Sequence, residues 1–262
     1  MEKDIKFYFF ESFKIINSNR LLLFVHGIAI TNLATKNSVL PQVFLLLLSI
    51  LSFLIMPVIY GRFTEIIKEE KPETLLKVFR KHLSNYFIYL FCLMAPTFLF
   101  LLIFLRIVPE ELVPATFSVI RSITTSLLLY VFPLVFLQGK QLIKFTTVVR
   151  GVKCLFAHFR YSLPLILLNI GSYFIYQIVF EIFESDLLVE NANTLLLLFS
   201  RFLPSLLGAF ISITLFIAAG MILIKEPLYK NYIDSQSTWS FGFAPFNILR
   251  AFVGQMIFSL SL

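Results

Sequence analysis

The sequence predicts an all-α, polytopic transmembrane bundle of about six spans, entered from one side through amphipathic helices that lie at the membrane interface. Three observations predict it. Hydrophobic residues make up 58% of the 262 and charged ones only 14%, with a mean hydropathy of +0.88. Soluble domains carry roughly 45–50% apolar and about 25% charged residues. Apolar runs of about 20 residues, enough to cross ~30 Å of hydrocarbon, recur along the chain. Lys and Arg gather in alternate connections, the asymmetry expected of cytoplasmic loops.

The N-terminal stretch carries Lys3, Lys6, Lys14 and Arg20 ahead of "LLLFVHGIAITNLA" at 21–34, which His26 and Asn32 interrupt. A basic stretch before a short apolar core has the outline of a signal peptide. Cleavage after Ala34 would, however, put Asn32 at the −3 position, where a small residue is needed. The segment is read as a first, short span. Five longer runs follow at 43–60, 86–108, 116–137, 161–183 and 202–224. All but four of the 22 Lys and Arg fall before the first run, after the second, after the fourth or in the tail; the four are Lys36, Arg106, Arg121 and Arg201. Both termini are therefore expected in the cytoplasm, and the host membrane is expected to be the bacterial inner membrane.

Two basic segments lead into spans. "TEIIKEEKPETLLKVFRKHL" sets Ile66, Ile67, Leu75, Leu76 and Phe79 among Lys77, Arg80 and Lys81, with Pro72 suited to a first helical turn. "KQLIKFTTVVRGVKCLFAHF" sets Leu142, Ile143, Val149, Val152 and Phe156 among Lys144, Arg150 and Lys153. Such helices lie in the headgroup plane with their cations toward anionic lipid, or pack beneath the bundle as caps. Anionic headgroups on the cytoplasmic side are the partners expected. Nucleic acid is excluded, because the basic runs join directly to spans and form no basic-aromatic module. The segment 243–262, broken only by Arg250 and Gln255, reads as a further interfacial helix, with a seventh span or packing against the bundle as the alternatives.

A repeat is visible in "FKIINSNRLLLF" from Phe13, "FRKHLSNYFIYL" from Phe79 and "FAHFRYSLPLIL" from Phe156. Each passes from polar and basic residues into a span, and each is followed by a hairpin of spans. "PVIYGR" and "PLVFLQGK" mark similar hairpin exits. The chain divides on this basis into 1–60, 63–138 and 139–225, within a single membrane domain 1–262.

Ionisable and amide residues inside spans are costly and are functional candidates by default. Asn169, Tyr173, Gln177 and Glu181 recur every four residues and so share one face of the fifth span. Arg201 enters the sixth span at about the depth where Glu181 leaves the fifth, which suits an ion pair. Arg121 lies near the outer end of the fourth span beside Ser118, Ser122 and Thr125. This face is read first as interhelical polar contact and second as a cavity for substrate or headgroup. Nothing in the sequence marks a catalytic residue, a metal site or a cofactor. Cys92 and Cys154 form no C-x-x-C pair, His82 and His158 have no ligand partners at a useful spacing, and no nucleophile motif or Gly-rich phosphate loop occurs.

The order "FKIINSNRLLLF", "PVIYGR", "LLKVFRKHLSNYFIYLF", "FPLVFLQGK" resembles six-span bacterial inner-membrane proteins of the glycerophosphoryl diester phosphodiesterase membrane-domain type. The likeness is one of architecture and covers most of the chain. In fused members of that group catalysis belongs to a separate soluble barrel with a His-Arg-Gly motif. Here "HGI" at His26 lies within a span, so the resemblance implies the membrane domain without phosphodiesterase activity. The function expected is a non-enzymatic, membrane-organising or lipid-interacting component; the alternative is a transporter or channel for a small polar or anionic solute through spans four to six. Reporter fusions after Lys77 and Lys153 should read cytoplasmic, and fusions near Glu190 external. An external signal at Lys77 would overturn the orientation.

Overall fold

Proline, asparagine and a left-handed glutamate decide where the helices of this chain bend and stop. The computed structural model describes residues 4–30, 42–104, 109, 113–138, 145–157, 159–186 and 194–226. Among them every regular element is a helix: α1 (Ile5–Ser18), α2 (Arg20–Ile30), α3 (Gln42–Ile67), α4 (Leu75–Phe104), α5 (Val113–Leu127), α6 (Val131–Leu137), α7 (Phe145–Ala157), α8 (Phe159–Asp186) and α9 (Thr194–Lys225). The all-α expectation holds. The segment 243–262 lies outside the described residues.

Asn19 separates α1 from α2: its backbone leaves helical geometry at φ −126°, while its side-chain amide donates to the Ile15 carbonyl at 2.8 Å. α3 continues past the expected span end and closes in a Schellman turn. The Glu70 N–H bonds the Glu65 carbonyl and the Glu69 N–H bonds the Ile66 carbonyl, with Glu69 at φ 58° where glycine is usual. Pro72 does not open the next helix. Thr74 does, its carbonyl accepting from Lys77 and Val78 at 3.0 Å.

The second lead-in is not a separate interfacial helix. It runs unbroken into the following apolar segment as α4, because neither Pro nor Gly occurs between Leu75 and Ala95. The third lead-in is separate: α7 meets α8 at 103°. Between α5 and α6 the chain bends by 44°. Pro133 is the cause, since it has no N–H for the Leu129 carbonyl four residues back and its ring crowds that carbonyl.

Length and composition make Phe202–Lys225 a helix able to cross a membrane. Counting each bent pair as one crossing raises the number to three among the described residues, where the sequence predicts six.

α9 is the hub. It packs against α1, α2, α3, α6 and α8, and its stretch from Ile213 to Leu223 is buried almost throughout. α3, α6 and α9 touch one another in the centre. Around them α2 packs on α3 and α9, α4 on α3, α5 and α6, and α8 on α9 and α5. The core is aromatic: the Tyr60, Phe132, Phe136 and Phe216 rings meet edge-on or tilted at 4.5–6.0 Å, and Tyr89 stacks on Phe132 at 3.8 Å. Such pairs add roughly 0.5–1.5 kcal/mol each beyond the area they bury.

Glycine sets two of the close approaches. A Cβ on Gly61 would lie 2.5 Å from Val78 Cγ1 and 2.7 Å from His82 Cδ2, across the α3–α4 contact. On Gly151 it would lie 2.7 Å from Val131 Cα and 2.8 Å from Val131 N, where backbone cannot yield. Gly151→Ala should therefore cost about 1–3 kcal/mol of thermal stability in detergent. Gly171→Ala, with nothing within 4 Å, should be neutral or slightly stabilising. Equal effects would contradict the α6–α7 packing.

Candidate functional site

Polar side chains collect at two depths of the bundle. The first group lies between α5 and α8, where the sequence places a polar face. Asn169, 8% exposed, donates from its amide to Ser126 Oγ at 2.8 Å and Thr125 Oγ1 at 3.0 Å, with the Ser122 carbonyl at 3.5 Å. Thr125 Oγ1 donates to the Arg121 carbonyl at 2.9 Å and lies 3.4 Å from the Tyr173 hydroxyl. Half of the expected face is thus joined to α5 by hydrogen bonds. The Arg121 side chain is exposed. Gln177, Glu181 and Arg201 lie on helical backbone, but their side chains, and so the expected Glu181–Arg201 pair, fall outside the described residues.

A further polar contact was legible in kind, because a lone histidine in an apolar run is read as a polar contact, but not in its partners. His26 Nε2 and the Tyr60 hydroxyl are 2.8 Å apart, and that hydroxyl is 3.1 Å from Ser212 Oγ, tying α2, α3 and α9 together. His26 stood out as an isolated polar residue in an apolar run. Its partners come from 34 and 186 positions away, which no local pattern encodes.

The second group lies at the basic ends of the helices, where three acceptors recur. Glu226, one residue beyond α9, accepts the buried Tyr8 hydroxyl of α1. Glu65, near the end of α3, pairs with Arg62 at 2.7 Å and accepts the Glu73 N–H at 3.4 Å, pinning the loop before α4. Gln138, capping α6, accepts Thr147 Oγ1 of α7 at 2.9 Å. In each case the exit of one helix is held by a segment that leads into another. Burial, then the bond to Glu226, raises the Tyr8 hydroxyl above its ordinary value.

The cations expected to meet lipid divide by partner. Lys77 reaches Glu73 at 3.2 Å, and Lys81 reaches Glu70 at 3.7 Å and Glu73 at 3.9 Å. The Lys77 hydrogen bond holds the Glu73 carboxyl below the usual range. Arg80, Arg150 and Lys153 have no ion-pair partner among the described residues, and Lys144 lies outside them.

Chemistry at the cysteines and histidines is constrained by burial. Burial pushes the Cys154 thiol up to about 12, so it is not a thiolate at neutral pH. No group of three His, Cys, Asp or Glu suited to a metal occurs among the described residues. Comparison with protein-family models, curated proteins and solved structures finds no match.

His82 is 1% exposed, stacks on Phe136 at 5.1 Å, and neither ring nitrogen has a hydrogen-bond partner among the described residues. Burial, with Lys81 and Lys68 adding to it against Glu73 and Glu70, lowers its pKa from 6.5 to about 4. The folded state then binds fewer protons than the unfolded state between those values, so stability falls as pH drops from 6.5 toward 4. At pH 5 the loss from this group should be about 2 kcal/mol. His82→Phe should flatten the fall in melting temperature between pH 7 and pH 5, and an unchanged pH slope would remove His82 as its source.

Proposed function

We propose that this chain is a six-span integral protein of the bacterial inner membrane, with both termini in the cytoplasm. In this reading it is a non-enzymatic, lipid-interacting component that organises the membrane around it. The observation that carries the reading is how the polar groups are used. Asn169 bonds α5, and His26, Tyr60 and Ser212 bond one another, while large apolar side chains point outward from several helices. Phe91, Phe98, Val119, Leu167 and Phe174 are all more than half exposed. Large apolar side chains exposed in this number are stable in lipid and costly in water.

The helix contacts support six crossings grouped as three hairpins. α2 with α3, α4 with α5–α6, and α8 with α9 form the hairpins, and the second helix of each is central. α1 packs on α9 and α7 on α6, while the start of α4 packs on α3 through Val78 and His82. Each lead-in therefore rests on the helix that ends the hairpin before it in cyclic order. The likeness to membrane domains of the glycerophosphoryl diester phosphodiesterase type belongs to this proposal, with Arg80, Arg150 and Lys153 as the contacts for anionic headgroups. Transport through α5, α8 and α9 is the competing reading, and it requires water to reach the Asn169 face.

Labelling decides between them. In a Cys92→Ser, Cys154→Ser background, Asn169→Cys and Gln177→Cys should resist an impermeant maleimide applied outside intact cells and react once the protein is denatured. Ready labelling of either from outside would overturn the solid bundle in favour of transport.

A further inference from the structure

We infer that the elbow between α1 and α2 is a binding site for one anionic phospholipid of the cytoplasmic leaflet, its phosphate held by Arg20 and Lys14. This rests on the lipid-interacting reading above and names a site distinct from Arg80, Arg150 and Lys153, on which that reading relies. The geometry begins with the break at Asn19, which places Arg20 at the start of the apolar helix. The guanidinium is oriented before any ligand arrives. Its Nε donates to Asn17 Oδ1 at 2.8 Å and to the Asn17 carbonyl at 3.2 Å. The two terminal nitrogens have no protein partner among the described residues, which leaves a planar fork of donors suited to two phosphate oxygens.

Lys14 lies on the same open groove, its side chain 77% exposed and in a loose 3.8 Å ion pair with Glu11 that a phosphate would have to displace. A second cation beside a fixed guanidinium suits a phosphodiester whose headgroup carries no ammonium over a zwitterionic one, whose ammonium it would repel. The wall of the groove is apolar: Ile16, Leu23 and Phe210 line it, and Phe13 stacks on Phe210 at 5.5 Å with the rings 6° from parallel.

Beyond Arg20 an apolar strip continues along the outside of α2. Leu21, Phe24 and Ile28 are 75%, 50% and 53% exposed, and their i, i+3, i+7 spacing puts them on one edge over roughly 10 Å of rise. Leu207 and Leu203 continue it on α9, with Phe24 against Phe202 at 5.1 Å. Cation pair, apolar groove and exposed strip follow one another in the order of phosphate, glycerol and acyl chain. A soluble phosphate would use only the first.

The test is native mass spectrometry of the detergent-solubilised full chain, titrated with dioleoyl phosphatidylglycerol or dioleoyl phosphatidylcholine. The wild type should retain the anionic lipid at least tenfold better. Arg20→Gln should weaken phosphatidylglycerol binding about tenfold, Lys14→Gln and Asn17→Ala about threefold, and Arg20→Lys less than Arg20→Gln, all with melting temperatures near wild type. Soluble glycerophosphate at equal concentration should not displace the lipid; displacement would overturn the acyl strip. If Arg20→Gln and Lys14→Gln bind as wild type while Arg80→Gln and Lys153→Gln do not, the elbow site fails and the lipid-interacting reading stands. If the wild type does not distinguish the two lipids, both fail. Asn17→Ala keeps the elbow site testable should the arginine variants not fold.

Discussion

The hydrogen bond between Tyr8 and Glu226 closes the bundle, because it ties the first described helix to the residue that ends the last. Glu226 is 3% exposed and follows the C-terminus of α9, where the helix dipole is itself negative and disfavours an anion. A carboxylate in that position needs a donor. Tyr8 supplies one, from a ring packed edge-on against Tyr161 of α8 at 6.3 Å. Glu65 and Gln138 face the same requirement at the ends of α3 and α6, and Glu73 and Thr147 meet it. Removing the Tyr8 hydroxyl would take this donor from the buried Glu226 carboxyl, at a cost of about 1–3 kcal/mol.

These contacts explain how the molecule is built along its length. Between helices in lipid the hydrophobic effect offers little, so association rests on close packing and on polar pairs. Both concentrate at the end of the bundle where the lead-ins lie. There Gly61 and Gly151 bring helices to backbone distance and the Tyr60, Phe132, Phe136 and Phe216 rings fill the centre. Toward the other end Phe91, Phe98, Leu167 and Phe174 face outward, and a polar contact such as Asn169 with Ser126 joins neighbouring helices. Ser12, Thr64 and Thr214 each return a hydroxyl to the carbonyl four residues back, at 2.6–2.8 Å. Such bonds let hydroxyls sit inside a helical bundle without unmet donors.

Much of this was legible in particular residues. The apolar run at 202–224 announced α9. The four-residue spacing of Asn169 and Tyr173 placed both on the face that meets α5. The lead-ins were legible as amphipathic, but not which of them would stay separate. Pro72 suggested a helix start that Thr74 provides, and Lys77 and Lys81, read as contacts for anionic lipid, also pair with Glu73 and Glu70.

By itself the sequence determined that the chain is helical, that it holds a helix long and apolar enough to cross a membrane, and that Asn169 and Tyr173 share a face, since these follow from composition and from a 3.6-residue period. Only the tertiary structure decided the partners: that Tyr60 would join His26 to Ser212, that Glu226 would find Tyr8, and that Arg20 would be held in place by Asn17 beside an open groove. The reason is physical. A polar side chain in an apolar run encodes the need for a donor or acceptor, but not which distant helix will carry it. That choice is made by how closely the helices approach.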